Sequence, residues 1–406
     1  MKTSILLTLL SLIVFNANHL FAADRVVQHN GPAGTYASIT AAITAAVDGD
    51  NIVINNRTDA LPWLENLTIN KSLTFVSAVD NVQWWMEGGI SVSMAESRVI
   101  TIVGMRNTGS ANYIQKTGTV PVNRTVLNIL SSEVAAEISM GAGINLYLGS
   151  CKTNSVYFTF GRLIGNDMRY VSCTPDANAT EDVNQIIGNR IGYTLNTSTV
   201  SGSVALSNNT QYLFFSNNFV RASTYGLQIT ALKTGTATNR LVNNTVATIA
   251  SGYIAVFLNF NSGQLFLENN VFCGKTSGNA GINMSPAANS LTTATYNMYY
   301  NPVSGGTALS TTLNNFVSTS AEDSNINTFG AFISGAAHID GGSPLNSFLD
   351  LDLSRNDNGA YGGSYSLANF LPFMSNTESS RVNYMNTPRI VNQGGTVNVQ
   401  VIGYDK

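Results

Sequence analysis

A short apolar phrase with asparagine in its middle returns along the chain at a nearly constant interval. It reads LFFSNNFV at 213–220, RLVNNTV at 240–246 and LFLENNVF at 265–272. Because a buried amide without a hydrogen-bond partner costs about 1–3 kcal/mol, any fold that accepts this phrase must supply each amide with partners. This requirement constrains the fold more than any other feature of the sequence.

The repeat continues in weaker copies when the phrases are aligned on the second amide. Its members are Asn166, Asn189, Asn218, Asn244, Asn270 and Asn297. The interval between neighbouring members drifts around a constant value, which is typical of a solenoid whose coils carry loops of different length. The stretches between the amides are short, rich in Val, Ile, Phe, Tyr and Thr, and end at Gly or polar residues, as strands do. Leucine-rich and helical repeats are excluded, because their leucine spacing and 3.6-residue periodicity are absent.

Three short strands per coil, tight corners and one variable loop predict an all-β fold, a right-handed parallel β-helix of roughly ten coils. Successive coils would stack at about 4.8 Å. Asn and Gly tolerate the left-handed backbone of a corner, and asparagines at the same corner can pass amide hydrogen bonds along the stack as a ladder. Apolar rungs at 51–56, 73–79, 100–105 and 126–132 extend this pattern toward the N-terminus.

The first residues predict export. Lys2 precedes an apolar run from Ile5 to Phe15, and small residues follow at Ala22 and Ala23. This arrangement is typical of a secretory signal peptide, residues 1–22, and the run is too short for a membrane span. Charged residues are 11% of the chain and the net charge is −3. The chain thus lacks the excess of basic residues that is typical of nucleic-acid-binding proteins. We therefore expect a secreted, extracellular or cell-surface protein without a membrane span.

Residues 23–50 predict a cap on the first coil. Ser38 is a good helix N-cap, and Ile39, Ala42, Ile43 and Ala46 fall on one helical face. Such a helix would cover the open end of the solenoid. The stretch YASITAAITAAVDGDNIVI, 36–54, resembles the opening of the pectate-lyase-like superfamily of right-handed parallel β-helix proteins, and the resemblance implies this fold but little about chemistry.

The other end carries a second resemblance. The stretch 342–372, with GSPLNS and RNDNGAYGG, is similar to the closing segment of many secreted bacterial β-helix proteins. We therefore expect the β-helix with its closing segment to occupy 51–372. Beyond it, RIVNQGGTVNVQVIGYDK predicts a hairpin or the start of a small β domain within 373–406.

Catalytic groups are sparse where the repeat is best formed. Between Val183 and Ala321 the only carboxylate is Glu268, so the pair of carboxylates that a glycosidase needs is absent from that window. We assign no catalytic residue and favour a protein that is not an enzyme. A polysaccharide lyase or glycoside hydrolase is the alternative, and it would use the acids of the N-terminal half together with Arg106, Arg124, Arg162 and Arg169.

Three aspartates form a weak metal candidate. In DLDLSRND, strand alternation would place Asp350, Asp352 and Ser354 on one face, with Asp357 close behind. Calcium prefers six to eight oxygen ligands, so these residues would be only part of a site. The competing interpretation is a turn in which the carboxylates accept backbone N–H groups, and no other cofactor is expected.

Aromatic pairs and cysteines complete the candidates. Trp84, Trp85, Tyr299 and Tyr300 form two adjacent pairs, and on a strand one member of each pair would point outward, where it could stack on a sugar. The separation of Cys151 and Cys173 along the sequence is close to one coil, so a disulfide and two stacked thiols are equally open.

The uncharged repeat, rich in Asn, Thr and Tyr, favours a non-enzymatic protein that binds an extracellular polysaccharide or contributes to a cell surface or matrix. A purely structural or adhesive spacer is a further alternative.

Overall fold

The computed structural model describes residues 22–93, 96–118, 124–178, 183–192, 204–222, 225–248, 253–274, 281–300, 313–318, 331, 338–373, 380–386 and 396–405. Residues 1–21 of the predicted leader and most of the stretch 302–341 lie outside these ranges.

The chain winds as a right-handed parallel β-helix, as predicted, and sheet 1 runs along its length. The twelve strands of sheet 1 pair in parallel with the strand one coil before and one coil after. The predicted rungs near 51, 73, 100 and 126 all belong to it. Its strands are β1 (Asp24–Val27), β2 (Asn51–Ile54), β5 (Thr74–Ser77), β8 (Val99–Val103), β11 (Thr125–Leu130), β13 (Ile144–Gly149), β15 (Phe160–Ile164), β17 (Val183–Ile187), β20 (Tyr212–Ser216), β23 (Asn239–Val242), β26 (Leu265–Glu268) and β29 (Thr292–Thr295).

Sheet 2 follows sheet 1 around the corner that carries the repeated asparagines. Its strands also pair in parallel from coil to coil. They are β3 (Trp63–Leu64), β6 (Trp84–Glu87), β9 (Met105–Asn107), β12 (Glu133–Ser139), β14 (Lys152–Phe158), β16 (Asp167–Cys173), β18 (Arg190–Ile191), β21 (Phe219–Ala222), β24 (Thr245–Thr248), β27 (Val271–Cys273), β30 (Met298–Tyr300) and β31 (Phe316–Ser318).

Sheet 3 closes each coil. It contains β4 (Leu67–Ile69), β7 (Ile90–Ser93), β10 (Ile114–Thr117), β19 (Val204–Asn208), β22 (Leu227–Leu232), β25 (Val256–Leu258) and β28 (Ile282–Met284). Between β10 and β19, the long strands β12, β14 and β16 serve sheets 2 and 3 together. The chain takes this direct path because two coils here are only 19 and 15 residues long, measured along the asparagine corner.

The core lies inside the coils and comes from alternate strand residues. In β11, for example, Thr125, Leu127 and Ile129 are fully buried while the residues between them are half-exposed. Stacked copies of these positions form one continuous apolar cluster from Val27 to Tyr299. This arrangement explains why the repeat requires apolar residues at the same place in every coil.

The N-terminal helix is the predicted cap. Helix α1 (Ile39–Ala45) buries Ile39, Ala42 and Ile43, and the Ser38 hydroxyl accepts a hydrogen bond from the Ala41 N–H at 3.0 Å. The Glu65 carboxylate accepts from the N–H groups of Ile39 and Thr40 at 2.9 and 2.8 Å. A negative charge at this position stabilises the helix, because the N-terminal end of a helix carries a partial positive charge. The sequence missed β1, which precedes the helix and already belongs to sheet 1.

Two further helical turns lie toward the C-terminus. They are α2 (Pro286–Ser290), whose N-cap is Ser285, and a 3-10 helix (Leu367–Phe370).

The second amide of each repeat forms the predicted ladder. From Asn166 to Asn297, each side-chain Nδ2 donates to the Oδ1 of the asparagine in the next coil at 2.8–3.1 Å. The ladder continues from Asn297 to Asn315 at 3.1 Å. Each Nδ2 also donates to a backbone carbonyl of the preceding coil, for example from Asn244 to Phe215 at 2.8 Å. The buried amides are therefore satisfied by their copies and by the backbone.

The first amide has a different role. Asn217, Asn243 and Asn269 take the left-handed backbone of the corner, with φ near 54°, 53° and 57°. Their side chains point outward and hold the closing segment, residues 338–373. Asn217 donates to the Ala360 carbonyl at 3.1 Å, Asn243 donates to Asn356 Oδ1 at 2.9 Å, and Asn269 accepts from the Ser343 N–H at 2.8 Å.

Glycine replaces the first amide where the closing segment leaves no room. Gly165 and Gly188 adopt φ near 65° and 64°. A Cβ at either position would lie within 2.7 or 2.2 Å of the Phe370 ring. Coils with two consecutive asparagines thus bind the closing segment through hydrogen bonds. Coils with Gly-Asn are covered at the same corner by the Phe370 ring.

Replacing the first amide tests this division of roles. We expect Asn243→Gly to preserve the left-handed backbone and to lose only the contacts with the closing segment, at a cost of about 1–2 kcal/mol. Limited proteolysis should then cut within 338–373 faster than in the parent protein. Asn30→Gly, at another left-handed asparagine (φ 54°), is the matched control. Equal cleavage rates for the parent and Asn243→Gly would contradict this role.

Neither option left open for Cys151 and Cys173, a disulfide or two stacked thiols, is present. Cys151, Cys173 and Cys273 are all free and buried. The coil from Cys151 to Asn166 has only 15 residues, so Cys173 lies well beyond the end of that coil, and the register pairs it with Phe158 at the far end of the strand. Cys151 instead occupies the ladder position, where its N–H donates to Asn166 Oδ1 at 2.9 Å. Burial raises the pKa of Cys151 and of Cys173 to about 12.

A separate antiparallel hairpin follows the closing segment. It pairs β32 (Ser380–Asn386) with β33 (Gln400–Asp405). The predicted first strand and turn, RIVNQGG, fall within residues 387–395, which lie outside the described residues. The strand that pairs with β33 is β32, which precedes this stretch. In the part of the chain that the structure describes, no helix is long and apolar enough to cross a membrane.

Candidate functional site

The four aromatic candidates differ in how far their side chains are exposed. Trp84 is fully buried and Trp85 is partly exposed, as strand alternation predicts. Tyr299 and Tyr300 are both buried, so their predicted role at the surface is wrong. Tyr299 lies in the central core against Phe272, and Tyr300 packs in a second apolar cluster outside sheet 2.

The three aspartates of the closing segment lie in turns, and the predicted strand there is wrong. Asp350 accepts from the N–H groups of Asp357 and Gly363, Asp352 accepts from Ser354, and Asp357 accepts from the Asp340 N–H at 2.8 Å. Burial, and then the charge of Asp357, raise the pKa of Asp350 to about 6.

Among the described residues, no three metal-ligating side chains form a group that could hold an ion. The geometry is that of the competing interpretation, a hydrogen-bonded turn, and calcium stays a prediction without structural support.

Four arginines were proposed for an enzyme of the N-terminal half, and they do not converge. Arg124 is buried against Asp176 at 2.9 Å. The guanidinium groups of Arg106 and Arg162 lie over Trp85 and Tyr147, at 5.1 and 5.3 Å from the ring centroids, and Arg169 lies on β16.

Arg106 has an acidic neighbour on an open face, because its Nε lies 3.9 Å from a Glu133 carboxylate oxygen. A guanidinium keeps its proton in proteins, so this pair suits the binding of an anion better than proton abstraction.

An aromatic surface on the outer face of sheet 3 is a further candidate site. Tyr225 and Tyr253 are 38% and 37% exposed, with ring centroids 6.3 Å apart. Tyr225 also lies 5.8 Å from the ring of Phe257. Farther along the same sheet, Tyr157 is 38% exposed and packs against Tyr170 at 5.4 Å.

The strand register joins these two aromatic groups. One outward row of sheet 3 runs from Tyr157 through Ser172, Ala205 and Gln228 to Phe257. Four strand spacings separate its ends, which corresponds to about 19 Å. The floor between the rings is made of small or amide side chains. We call this row with Tyr170, Tyr225 and Tyr253 the tyrosine platform.

Sequence reasoning missed the tyrosine platform, although one signal was present. Tyr225 and Tyr253 are separated along the sequence by close to one coil of the repeat, and each precedes a strand of sheet 3. Tyr157 and Tyr170 could not be found in this way, because the strand pairing there follows the short coil and advances by only 15 residues.

A second feature lies at the corner between sheets 1 and 2 in the first coils. Trp85 and Arg106 line a groove of about 490 Å³ together with residues of the loops 56–61 and 81–83. This N-terminal groove does not belong to the tyrosine platform, because its lining comes from the other side of the coils.

Comparisons with known proteins found one similar solved structure and no family. No family model matches the chain, and no curated protein matches it. Among solved structures, the chain is similar to the crystal structure of pectate lyase Pel9A, with 11% sequence identity over 86% of this chain and 98% of that chain, and a TM-score of 0.40. We transfer no functional residue from it.

Proposed function

We propose that this chain is an exported, non-enzymatic protein that binds a neutral extracellular polysaccharide along the tyrosine platform. One observation supports this proposal most directly. Two groups of partly exposed aromatic side chains lie at the two ends of the outward row of sheet 3, with Ser172, Ala205 and Gln228 between them. The predicted leader at 1–22 supports export.

Exposed aromatic rings suit the binding of sugars for a physical reason. A tyrosine ring buries a large apolar face at low cost in side-chain entropy, while its hydroxyl remains available to water or to a ligand. Tyr225 and Tyr253 meet edge to face, with an interplanar angle of 79°, so the two rings present differently oriented surfaces. A chain of sugar rings could contact both aromatic groups and lie across the serine and glutamine between them.

The charges near the tyrosine platform favour a neutral ligand and argue against hydrolysis. The outward row from Tyr157 to Phe257 contains no acid, base or histidine. The adjacent row pairs Glu137 with Ser155 and Ser155 with Tyr170, so it adds one carboxylate, and the charges of both Glu137 and Arg169 act on Tyr157. One carboxylate and one guanidinium leave no net formal charge at this end. Hydrolysis of a glycosidic bond requires two carboxylates that flank the bond. Binding without cleavage is therefore the function that this geometry supports best.

The double variant Tyr225→Ala/Tyr253→Ala tests the proposal. We expect it to weaken binding to a neutral polysaccharide at least about tenfold, because each lost ring contact contributes about 1 kcal/mol. Affinity electrophoresis with the mature protein against neutral and acidic polysaccharides measures the change. Tyr113→Ala removes a tyrosine that is 45% exposed but belongs to neither aromatic group, so it should leave binding unchanged.

Product analysis of the same incubations separates the alternatives. Intact polysaccharide with tyrosine-dependent retention supports binding without catalysis. Shortened chains would make the protein an enzyme, and unsaturated ends would identify a lyase. Retention on no polysaccharide, or equal retention of the double variant and the parent, would contradict the proposal and leave the structural spacer.

A further inference from the structure

We infer that the N-terminal groove is a separate binding site for an organic anion, one that joins an oxyanion group to a ring. The groove lies in loops between sheets 1 and 2, whereas the tyrosine platform lies on sheet 3. Its lining includes Asn56, Arg57, Leu61, Val82, Trp85 and Arg106. A volume of about 490 Å³ is within the usual range for a small-molecule site, about 300–1,000 Å³.

The apolar part of the groove is preorganised. The backbone N–H of Trp85 donates to Asn56 Oδ1 at 2.9 Å, and the indole Nε1–H donates to the Thr108 hydroxyl at 3.3 Å. Trp85 is thus held at its backbone and at its indole nitrogen before a ligand arrives. Leu61 and Val82, which are 54% and 42% exposed, add apolar surface to the same groove.

Arg106 supplies the cationic part. Its side chain is 46% exposed, and its guanidinium lies over the Trp85 ring at 5.1 Å from the centroid. It donates no hydrogen bond to the described residues, since Glu133 at 3.9 Å lies beyond hydrogen-bond distance. Its planar fork of donors is therefore free for a carboxylate or sulfate, which it can bind in bidentate fashion.

The other arginine of the groove is already engaged. Asp59 accepts from Arg57 Nε at 3.0 Å and from Arg57 Nη2 at 2.6 Å. The Arg57 guanidinium also lies over Trp63 at 5.7 Å. Arg57 thus shapes the wall of the groove, and Arg106 is left to hold the anion.

The charged side chains along sheet 2 largely alternate in sign beside the groove. One outward row runs Arg106, Glu133, Lys152, Asp167 and Arg190, with each residue paired in register to the next. Arg190 and Asp167 form a close ion pair at 2.5 Å, so Glu133 is shared between Arg106 and Lys152. The Glu87 carboxylate also lies near the groove, because it accepts from the Thr108 hydroxyl that binds the Trp85 indole. Glu133 and Glu87 thus balance the formal charges of Arg106 and Lys152, and the preference for an anion depends on the exposed Arg106 guanidinium itself.

Tryptophan fluorescence tests this site directly. Of the three tryptophans, Trp63 and Trp84 are 2% and 0% exposed, so a ligand in the groove should change the emission of Trp85. The mature protein is titrated with glucuronate, cyclohexanecarboxylate and glucose at low salt. We expect a saturable change with a ring that carries a carboxylate, and no saturable change with glucose.

Variants decide whether Arg106 holds the anion. Arg106→Met preserves most of the side-chain stem and removes the charge, so the dissociation constant should rise at least about tenfold. Arg106→Lys, which retains a charge without the fork, should have an intermediate effect. Arg240→Met is the matched control, because Arg240 is 40% exposed, lies 3.3 Å from Glu268 and stacks over Phe348 at 6.0 Å, away from the groove.

Each outcome bears on the inference. Binding of glucuronate alone assigns the site to acidic sugars, and binding of both acids assigns it to ring carboxylates in general. A change with glucose as large as that with glucuronate, no change with either acid, or equal affinity of Arg106→Met and the parent would overturn the inference. The Tyr225→Ala/Tyr253→Ala variant should retain anion binding, so this site and the tyrosine platform can fail independently.

Discussion

Replacing Asn244 by alanine should lower the free energy of unfolding by about 3–5 kcal/mol. Asn244 is fully buried in the middle of the ladder. Its Oδ1 accepts from the backbone N–H and the Nδ2 of Asn218 at 3.0 and 3.1 Å, and its Nδ2 donates to Asn270 Oδ1 and to the Phe215 carbonyl at 2.9 and 2.8 Å. Alanine removes all four hydrogen bonds and leaves the Asn218 N–H buried without its acceptor. Urea unfolding followed by circular dichroism measures the loss.

The loss of stability should depend on where the asparagine lies, because only an asparagine of the ladder makes these buried hydrogen bonds. Asn259→Ala removes an asparagine from the exposed side of a coil, and its unfolding midpoint should stay close to that of the parent. Asn243→Gly, one residue before Asn244, should cost clearly less than Asn244→Ala, because it disturbs the closing segment and not the ladder. Equal losses for Asn244→Ala and Asn259→Ala would show that the ladder does not stabilise the solenoid.

The ladder could be predicted from sequence because its physics is local to each coil. A buried amide at one corner is tolerated only if its copies satisfy it, so the same residue returns in every coil. The cap helix was predictable for a similar reason, since Ser38 and the spacing of Ile39, Ala42 and Ile43 are local signals. Such features depend on neighbours along the chain or one coil away.

Contacts that depend on the length of each coil could not be predicted. The 15-residue coil after Cys151 changes which residues stack, so it moved Cys173 away from Cys151 and brought Tyr170 beside Tyr157. Strand alternation failed at Tyr300 because sheet 2 is buried on both faces there, where Met298, Val271 and Cys273 form an outer apolar cluster. The same variation in coil length made the tyrosine platform unpredictable. Its residues are neighbours through the pairing of strands, and their separation along the sequence differs from coil to coil.

The buried ion pair of the N-terminal half was also hidden, because Arg124 and Asp176 are far apart in the sequence. Asp176 is fully buried at its side chain and Arg124 is 7% exposed, with 2.9 Å between Nη2 and Oδ2. The carboxylate also accepts from the Gly143 N–H at 3.1 Å and from the Thr159 hydroxyl at 3.0 Å. The Asp176 carboxylate thus joins Arg124, Gly143 and Thr159 at the turn into sheet 1, and these contacts should contribute to stability.

Asp176→Asn should therefore lower the free energy of unfolding by about 3–5 kcal/mol, because it leaves a buried guanidinium without its counter-charge. The double variant Asp176→Asn/Arg124→Met should recover part of this loss, which a double-mutant cycle measures. Asp59→Asn is the matched control, since it breaks the Arg57–Asp59 pair, whose carboxylate is 35% exposed, and it should change stability little. If the double variant lost the sum of the two single losses, the two charges would not be coupled.

Acid unfolding provides an independent readout of the same pair. Burial alone would raise the pKa of Asp176, but the hydrogen bond from Arg124 and those from backbone N–H groups outweigh it and hold the pKa below its usual value. A carboxyl group with a depressed pKa in the folded state binds its proton more readily when unfolded, so its contribution to stability is complete above about pH 4 and disappears as the pH falls further. The parent should lose stability below about pH 4 more steeply than Asp176→Asn. Parallel curves for the two proteins in that range would mean that Asp176 does not titrate on unfolding, and the ion pair would then have no part in the acid stability of the solenoid.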